Sequence, residues 1–390
     1  MKETIRILAL HLAFGGVEKA VVNMANLFVE QGHPVEILCV YKMPDSPAFP
    51  LDSRVRVSYL LKDIPNRREF KESLRAKNPL RILKEGLKAV RILRQKKLCV
   101  RRAIRGITDG VVITTRHEDN LALSRYGQPG VFKIAQLHHD HRFESRYVKG
   151  FAEGYQTIDV FTLLTPQLVE EVRAIMKDNL HTRLVCVPNF LSEIPPMPDI
   201  SGREKTIMAV GRLNSVKGFD RLLEDFARIH ARVPQWRLQI VGEGEERPVL
   251  EELIRRLSLQ DCAELTGQKN AAEIQEMMQK ASLYAMSSHS EGFPFVLLEA
   301  FSCALPVAAY DVRVGPRAVI EDRINGFLVP DNDRQSYQNA VLKLMEDTEL
   351  RSKMAGQAYR RAQEFSAAAV GRLWQTILED ERIPHDEKSI

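Results

Sequence analysis

Two carboxylates, Glu291 and Glu299, are separated by seven residues within the stretch Met286–Asp311. A short polar turn, Ser287-Ser288-His289-Ser290, precedes Glu291-Gly292, and Phe293-Pro294-Phe295 follows. Val296, Leu297, Ala300 and Phe301 then recur at helical spacing, with Pro294 read as part of the first turn, where a missing N–H costs nothing. A helix start carries free N–H groups and about half a positive charge, so it suits a phosphate. Acids beside a phosphate would repel it, which gives the two glutamates another task. A carboxylate accepts two hydrogen bonds from a vicinal diol, and hydroxyl binding is the natural one.

The cations that such a site needs lie upstream. Arg212 and Lys217 occupy the loop Gly211–Gly218 between a strand end and a helix start. Two fixed cations and free N–H groups suit a diphosphate and stabilise it as a leaving group. Glu299, set among apolar neighbours, then suits a ribose diol, and Glu291 the hydroxyls of a transferred sugar. Phe293 and Phe295 read mainly as packing. No Asp-x-Asp motif stands at a strand end, and Asp331-Asn332-Asp333 reads as a polar loop. A metal is not needed if Arg212, Lys217 and helix dipoles carry the diphosphate charge.

Two loops of the first half are further candidates. Gly15-Gly16 sits at the first strand-to-helix crossover, where backbone approaches a ligand closely or simply turns tightly. His138-His139-Asp140-His141 follows a strand end. Adjacent residues rarely all point at one ion, so a single catalytic or phosphate-facing histidine, His138, is preferred over a metal site. The alternative for the whole cluster is a plain polar loop.

The elements that position these groups follow from hydrophobic patterning. Buried-strand runs are Ile5–Leu10, Val35–Val40, Val55–Leu60, Val111–Thr114, Val131–Leu137, Val160–Leu164 and Leu184–Val187. After the proline-rich stretch Ser192–Lys205 the pattern restarts with Ile207–Val210, Arg237–Val241, Ala263–Leu265, Leu283–Met286, Val307–Tyr310 and Gly326–Val329, interleaved with helices. The expected organisation is α/β. A domain over residues 1–191, a linker over 192–205 and a second domain over 206–369 are each Rossmann-like and doubly wound, and face each other across a cleft.

Composition bounds the class. At 390 residues and 44% apolar content, the chain fits two soluble α/β domains. No apolar run reaches the roughly 18 residues of a membrane span. The N-terminal run reads as a first strand and not a signal peptide. Five scattered cysteines, Cys39, Cys99, Cys186, Cys262 and Cys303, fit a reducing cytoplasm better than a disulfide framework or a zinc site. The net charge of +5 hides an asymmetry: residues 67–105 carry fifteen Lys/Arg against three acids, a net +12, which leaves −7 elsewhere. In that segment Leu80, Leu83, Leu87, Val90 and Leu93 recur at helical spacing among the cations. The pattern suggests contact with an anionic inner-membrane surface. The alternative is a helix that packs these leucines on its own sheet. Nucleic acid is disfavoured because no interleaved aromatics accompany the charge.

The motifs Phe14-Gly15-Gly16-Val17-Glu18, Val210-Gly211-Arg212-Leu213 with Lys217-Gly218, Val241-Gly242-Glu243-Gly244 and Glu291-Gly292-Phe293 with Glu299 resemble those of family 4 glycosyltransferases, retaining enzymes of GT-B fold. The resemblance spans about residues 5–378. It implies that the second half binds a UDP-sugar and the first half most of a glycan or lipid-linked acceptor. It also implies that the final helix, about 370–385, crosses back onto the first half. The catalytic set it implies is His138, Arg212, Lys217 and Glu291. The donor-binding set is Gly15, Gly16, Arg212, Lys217, Gln268, Glu291, Gly292, Phe293, Pro294 and Glu299, with uracil met by backbone near Gln268. No cofactor or metal is expected. The implied chemistry is metal-independent transfer of a hexose or N-acetylhexosamine in cell-envelope polysaccharide synthesis, such as lipopolysaccharide, by a cytoplasmic, peripheral membrane enzyme. The resemblance alone selects UDP over GDP or ADP. No carboxylate for a double displacement is identifiable, and the resemblance implies retention through front-face attack, in which the leaving phosphate itself helps deprotonate the acceptor. A sugar-nucleotide epimerase, a phosphorylase of the same architecture and a non-catalytic sugar-nucleotide-binding subunit are the competing readings.

Overall fold

A computed structural model describes residues 2–44 and 46–379. The chain divides into two compact units: unit 1 holds the chain to Leu164, Leu168–Val187 and the chain from Ile377, and unit 2 holds Thr165–Gln167 and Pro188–Thr376. The stretch read as a linker is part of unit 2. Arg203 donates to the carbonyls of Cys303 and Ala304 at 2.6 and 2.8 Å, and Tyr359 Oη donates to Pro195 O at 2.9 Å. Residues 380–385 of the expected last helix lie outside the described residues.

Unit 1 is built on seven strands: β1 (Ile5–Ala9), β2 (Val35–Tyr41), β3 (Arg56–Leu61), β4 (Val111–Thr114), β5 (Phe132–Leu137), β6 (Val160–Leu163) and β7 (Arg183–Cys186). They form one parallel sheet in the order β3-β2-β1-β4-β5-β6-β7. Its helices are α1 (Gly16–Glu30), α2 (Arg67–Arg75), α3 (Pro79–Gly106), α4 (His117–Tyr126), α5 (Ser145–Gly154) and α6 (Pro166–Ile175).

Unit 2 repeats the plan with six strands: β8 (Thr206–Val210), β9 (Arg237–Val241), β10 (Ala263–Gly267), β11 (Leu283–Met286), β12 (Val307–Asp311) and β13 (Gly326–Pro330). The parallel order is β10-β9-β8-β11-β12-β13. Helices α7 (Phe219–His230), α8 (Arg247–Arg256), α9 (Ala271–Lys280), α10 (Phe295–Ser302), α11 (Pro316–Val319), α12 (Arg334–Glu346), α13 (Thr348–Gln363) and α14 (Ala367–Glu379) complete the described chain.

Parallel strands are covered on both faces, so they read as continuous apolar runs and not as alternation. Every residue of β4 (VVIT) and β11 (LYAM) is buried. In each sheet the strand order reverses once, between β1 and β4 and between β8 and β11. The carboxyl ends of strands beside such a reversal open a crevice, which is where doubly wound sheets bind ligands.

The basic segment differs from its sequence reading in one way, and the fold does not follow the alternative given there for its leucines. It is two helices, because Lys77 takes a left-handed turn (φ 50°), Asn78 caps Arg81 N–H at 3.1 Å and Pro79 starts α3 with a φ already set for a helix. The named leucines also do not pack on the sheet. Ile92, Val100 and Ile104 are the buried residues of α3, while Leu80, Leu83, Leu87, Val90 and Leu93 are exposed.

Candidate active site

The unit 2 crevice is assembled from two loops. The loop after β8 begins at Gly211, runs through a 3-10 turn at Ser215–Lys217 and enters α7 at Gly218. Gly218 holds φ 59°, and a Cβ there would collide with Ser287 O. Only glycine takes both the left-handed backbone and this approach without strain. The loop after β11 closes on that turn. Ser287 Oγ donates to Lys217 O at 3.0 Å, and His289 N–H donates to Val216 O at 2.7 Å.

This seam brings two of the sequence-derived residues into contact. Lys217 Nζ lies 2.7 Å from Glu291 Oε1, and both side chains are mostly shielded from water. The diphosphate cation and the sugar-facing acid inferred from sequence are therefore one ion pair. A third loop supports them, since Leu213 N–H donates to Glu243 O and Glu246 N–H to Leu213 O, each at 3.0 Å. Arg212 lies exposed beside this seam. Its guanidinium makes no hydrogen bond or ion pair among the described residues, so all of its donors are available to a ligand.

Tyr284 lies at the strand ends within reach of the charge of both glutamates. Its buried hydroxyl accepts from Val210 N–H at 3.1 Å and sits 3.3 Å from Val210 O. Burial raises its pKa, the Val210 N–H works against that rise, and the charges of Glu291 and Glu299 add to it. Both acids are thus within electrostatic reach of the point where β8 gives way to Gly211. Glu299 lies in α10 and is half-buried.

The remaining second-half candidates sort by exposure. Gln268 is exposed just after β10, where Gly267 O accepts from Gly242 N–H at 2.9 Å. Gly292 is half-buried beside Glu291. Phe293 packs its ring edge-on against Phe365, with centroids 5.6 Å apart, and its carbonyl accepts from Asn189 Nδ2 at 3.1 Å. Its side chain is therefore packing, and that of Phe295 is buried as well. Pro294 is the N-cap of α10 and not its first-turn residue. Helix ends shift by a residue when the capping position, not the apolar period, sets the boundary.

Sequence reasoning missed Arg221. It is 7% exposed on α7, and its Nε and Nη2 donate to Ser287 O at 2.7 Å and Ser288 O at 2.6 Å. Its Nη1 pairs with Asp331 at 2.9 Å, and the guanidinium lies 4.0 Å from the Tyr310 ring centroid. The planar fork thus pins the backbone that leads into Glu291. Asp331, read as part of an ordinary polar loop, is the carboxylate that holds this arginine. An arginine within an amphipathic helix reads as solvated, and nothing local in the sequence marks it as inward.

In unit 1, Gly15 and Gly16 begin α1 next to the β1/β4 reversal. The space where a Gly15 side chain would start is taken by the Glu18 carboxylate. Gly15 therefore makes room for the chain's own acid, which is buried 3.4 Å from His11 Nδ1. His138 follows β5. Its Nε2 meets Gln136 Oε1 at 3.2 Å, and Gln136 Nε2 donates to Thr162 Oγ1 at 3.1 Å. This chain places the proton on Nε2 and leaves Nδ1 as a buried acceptor without a partner among the described residues. Burial first, then His139, push the His138 pKa down to about 4. A neutral imidazole accepts a hydrogen bond from a hydroxyl. It carries no charge to set against a phosphate. His139 and His141 turn elsewhere, to Tyr147 Oη at 2.6 Å and to Glu171 at 3.1 Å. Among the described residues, no three His, Cys, Asp or Glu side chains converge as metal ligands.

The chain is similar to several known proteins. Residues 192–361 match the family described as glycosyl transferases group 1. An exopolysaccharide phosphotransferase of Streptomyces coelicolor is 30% identical over 377 residues, covering 93% of this chain and 39% of that protein. An uncharacterized glycosyltransferase of Haemophilus influenzae is 25% identical over 93% of this chain and 96% of its own length. The amylovoran biosynthesis glycosyltransferase AmsD of Erwinia amylovora is 32% identical over 45% of this chain and 48% of its own. The chain thus spans less than half of the first and third of these relatives. Among solved structures, S. aureus TarM, crystallised with UDP and an α-GlcNAc-glycerol, superposes with TM-score 0.77 at 14% identity, over 96% of this chain and 99% of that one. The pneumococcal O-GlcNAc transferase GtfA, solved with UDP and GlcNAc, gives 0.74 at 16% identity, over 97% and 99%. The two parallel-sheet units therefore form the GT-B fold, and residues 192–361 carry the match to the glycosyl transferases group 1 family.

Proposed function

We propose that the protein is a retaining family 4 glycosyltransferase. It moves a hexose or N-acetylhexosamine from a UDP-sugar to a glycan or lipid-linked acceptor in cell-envelope polysaccharide synthesis. The observation that carries this reading is the Lys217–Glu291 pair at the β8/β11 reversal, beside Arg212, which is unpaired among the described residues. Names of relatives support it. They include a poly(glycerol-phosphate) α-glucosyltransferase of Bacillus subtilis and a UDP-N-acetylglucosamine–peptide N-acetylglucosaminyltransferase subunit of Streptococcus pneumoniae.

The residues divide the work as follows. Arg212 and Lys217 neutralise the donor diphosphate, together with the free N–H groups at the start of α10. Glu299 accepts hydrogen bonds from the ribose diol. Glu291, held in orientation by Lys217, accepts from a hydroxyl of the sugar. His138, a neutral imidazole fixed by Gln136, is the hydroxyl-binding candidate of unit 1. In transfer, the bond from the anomeric carbon to the phosphate oxygen breaks, and the acceptor oxygen bonds to that carbon on the same face. The acceptor's proton passes to the departing phosphate oxygen. No metal enters this scheme, because the two cations carry the charge that develops on the diphosphate.

The test is turnover of UDP-hexoses and UDP-N-acetylhexosamines by the purified protein with EDTA present. Release of UDP in EDTA, dependent on Glu291 and Lys217, is the expected result. Undiminished activity in folded Glu291→Gln and Lys217→Ala variants would falsify the assigned site. Sugar 1-phosphate formed from added phosphate would identify a phosphorylase. Mass-spectrometric capture of a glycosyl-enzyme would replace front-face attack with a double displacement.

A further inference from the structure

Helix α3 has two apolar faces, and the fold uses one of them. The inner face carries Ile92, Val100 and Ile104, which are at most 3% exposed and hold the helix on its unit. On the outer face Leu80, Leu83, Leu87 and Val90 follow at intervals of three, four and three residues, which places them in one stripe. Leu80 is 80% exposed and Leu87 64% exposed. Leu98, two turns beyond Val90 and also exposed, extends the stripe. A helix already satisfied by its inner face gains nothing in its own fold from large apolar side chains on the outside. An exposed apolar row of this length marks a contact surface.

The charges on α3 say what that surface meets. Lys84, Lys88 and Arg91 run along one flank of the stripe, and Arg94 and Lys97 carry the charge onward. Some cations of the segment have a protein partner: Arg91 pairs with Asp63 at 2.9 Å, and Arg101 and Arg105 lie over the Tyr126 ring at 4.6 and 5.0 Å. Arg81, Lys84, Lys88, Arg94, Lys97 and Arg102 make no side-chain hydrogen bond or ion pair among the described residues. Glu85 is the one acid of α3, and it is occupied with Asn66 Nδ2 at 2.7 Å.

We infer that the outer face of α3 docks on an anionic lipid bilayer, with its leucines entering the acyl boundary and its lysines and arginines meeting headgroup phosphates. Three candidate partners separate on these observations. A second copy of the chain would set a strongly basic face against its own equal. A nucleic acid would engage the cations and leave the leucines in water. An anionic bilayer satisfies both at once, because its phosphates lie in a plane directly above its hydrocarbon. The inference stands on α3 alone, so it fails or survives separately from the roles given to Glu291 and Lys217.

Vesicle flotation with the full-length protein tests it. Vesicles of phosphatidylcholine and phosphatidylglycerol in equal parts are expected to carry the protein upward, and vesicles of phosphatidylcholine alone to leave it behind. The double variants Leu83→Ser/Leu87→Ser and Lys84→Glu/Lys88→Glu should each lower the bound-to-free ratio at least about tenfold. The circular dichroism spectrum and UDP release from soluble substrates should stay as in the parent protein. All four side chains are exposed, so folding is not at stake, and the spectrum verifies it. No flotation of the parent protein, or equal flotation of the leucine variant, overturns the inference. So does light scattering that shows a dimer dissolved by the leucine variant, or duplex RNA bound equally well by the leucine and parent proteins.

Discussion

The two ligand-type loops of this molecule hold their polar groups in opposite ways. At the β8/β11 reversal of unit 2 the charges are paired and the backbone is stitched. Lys217 meets Glu291 at 2.7 Å, and Arg221 fixes the two carbonyls that precede it. After β5 in unit 1, His138 is neutral, fixed by one hydrogen bond to Gln136, with its other nitrogen buried and unpaired among the described residues. The first arrangement suits a doubly charged ligand, whose arrival exchanges one ion pair for another. The second suits an uncharged hydroxyl, for which a permanent charge would only add a desolvation cost.

The largest effect should come from the charged loop. Lys217→Ala leaves Glu291 shielded from water and without its partner, and removes a cation from the diphosphate. Turnover should fall by about 10²–10³, the scale for losing one preorganised donor to developing charge. Steady-state kinetics with a fixed UDP-sugar measure it, and a loss under about fivefold would undo the contrast between the loops.

Arg221 comes next. Arg221→Ala strips two carbonyls and Asp331 of their donor in a buried place and should cost about 3–5 kcal/mol of stability. Arg221→Lys keeps the charge but loses the fork. It should recover most of the melting temperature while kcat stays low, because Ser287 and Ser288 are no longer held together. Equal recovery of stability and kcat by the lysine variant would show a merely structural arginine.

The smallest effect, and the most selective, concerns His138. Its folded pKa of about 4 lies below the ordinary value near 6.5, so the unfolded chain binds the extra proton first. That contribution to stability is fully present above pH 6.5. It is lost as pH falls toward 4, by at most about 3 kcal/mol. His138→Gln should flatten this part of the denaturation profile, and kcat/KM of the parent protein should show no His138 titration between about pH 5.5 and 8. A stability profile unchanged by the substitution would mean that the histidine titrates normally.

What the sequence discloses here follows from how local each signal is. β4 and β11 were legible to the residue because strands buried on both faces read as near-continuous apolar runs, and β9 (RLQIV) because its apolar residues Leu238, Ile240 and Val241 mark it despite an exposed Arg237. Lys217, Gly218, Glu291 and Glu299 were legible because loop chemistry and acid spacing are written along the chain. Contacts made by folding were not. Arg221 and Glu291 are seventy residues apart, and only the seam between two loops makes one support the other. Pro294 was placed one residue too far into α10, because period alone does not distinguish a cap from a first turn. The outer leucines of α3 carried the right spacing, but which face turns inward depended on Ile92, Val100 and Ile104.

Calorimetric titration of UDP into the parent protein, Lys217→Ala and Glu291→Gln tests the central assignment most directly. If Lys217 grips the diphosphate and Glu291 the sugar, UDP should bind Lys217→Ala at least about tenfold more weakly, the scale of one lost charge-assisted contact. Glu291→Gln should bind it as well as the parent or better, since Lys217 is then released to the phosphate. Unchanged UDP affinity in Lys217→Ala, or no binding by the parent protein, would contradict the account.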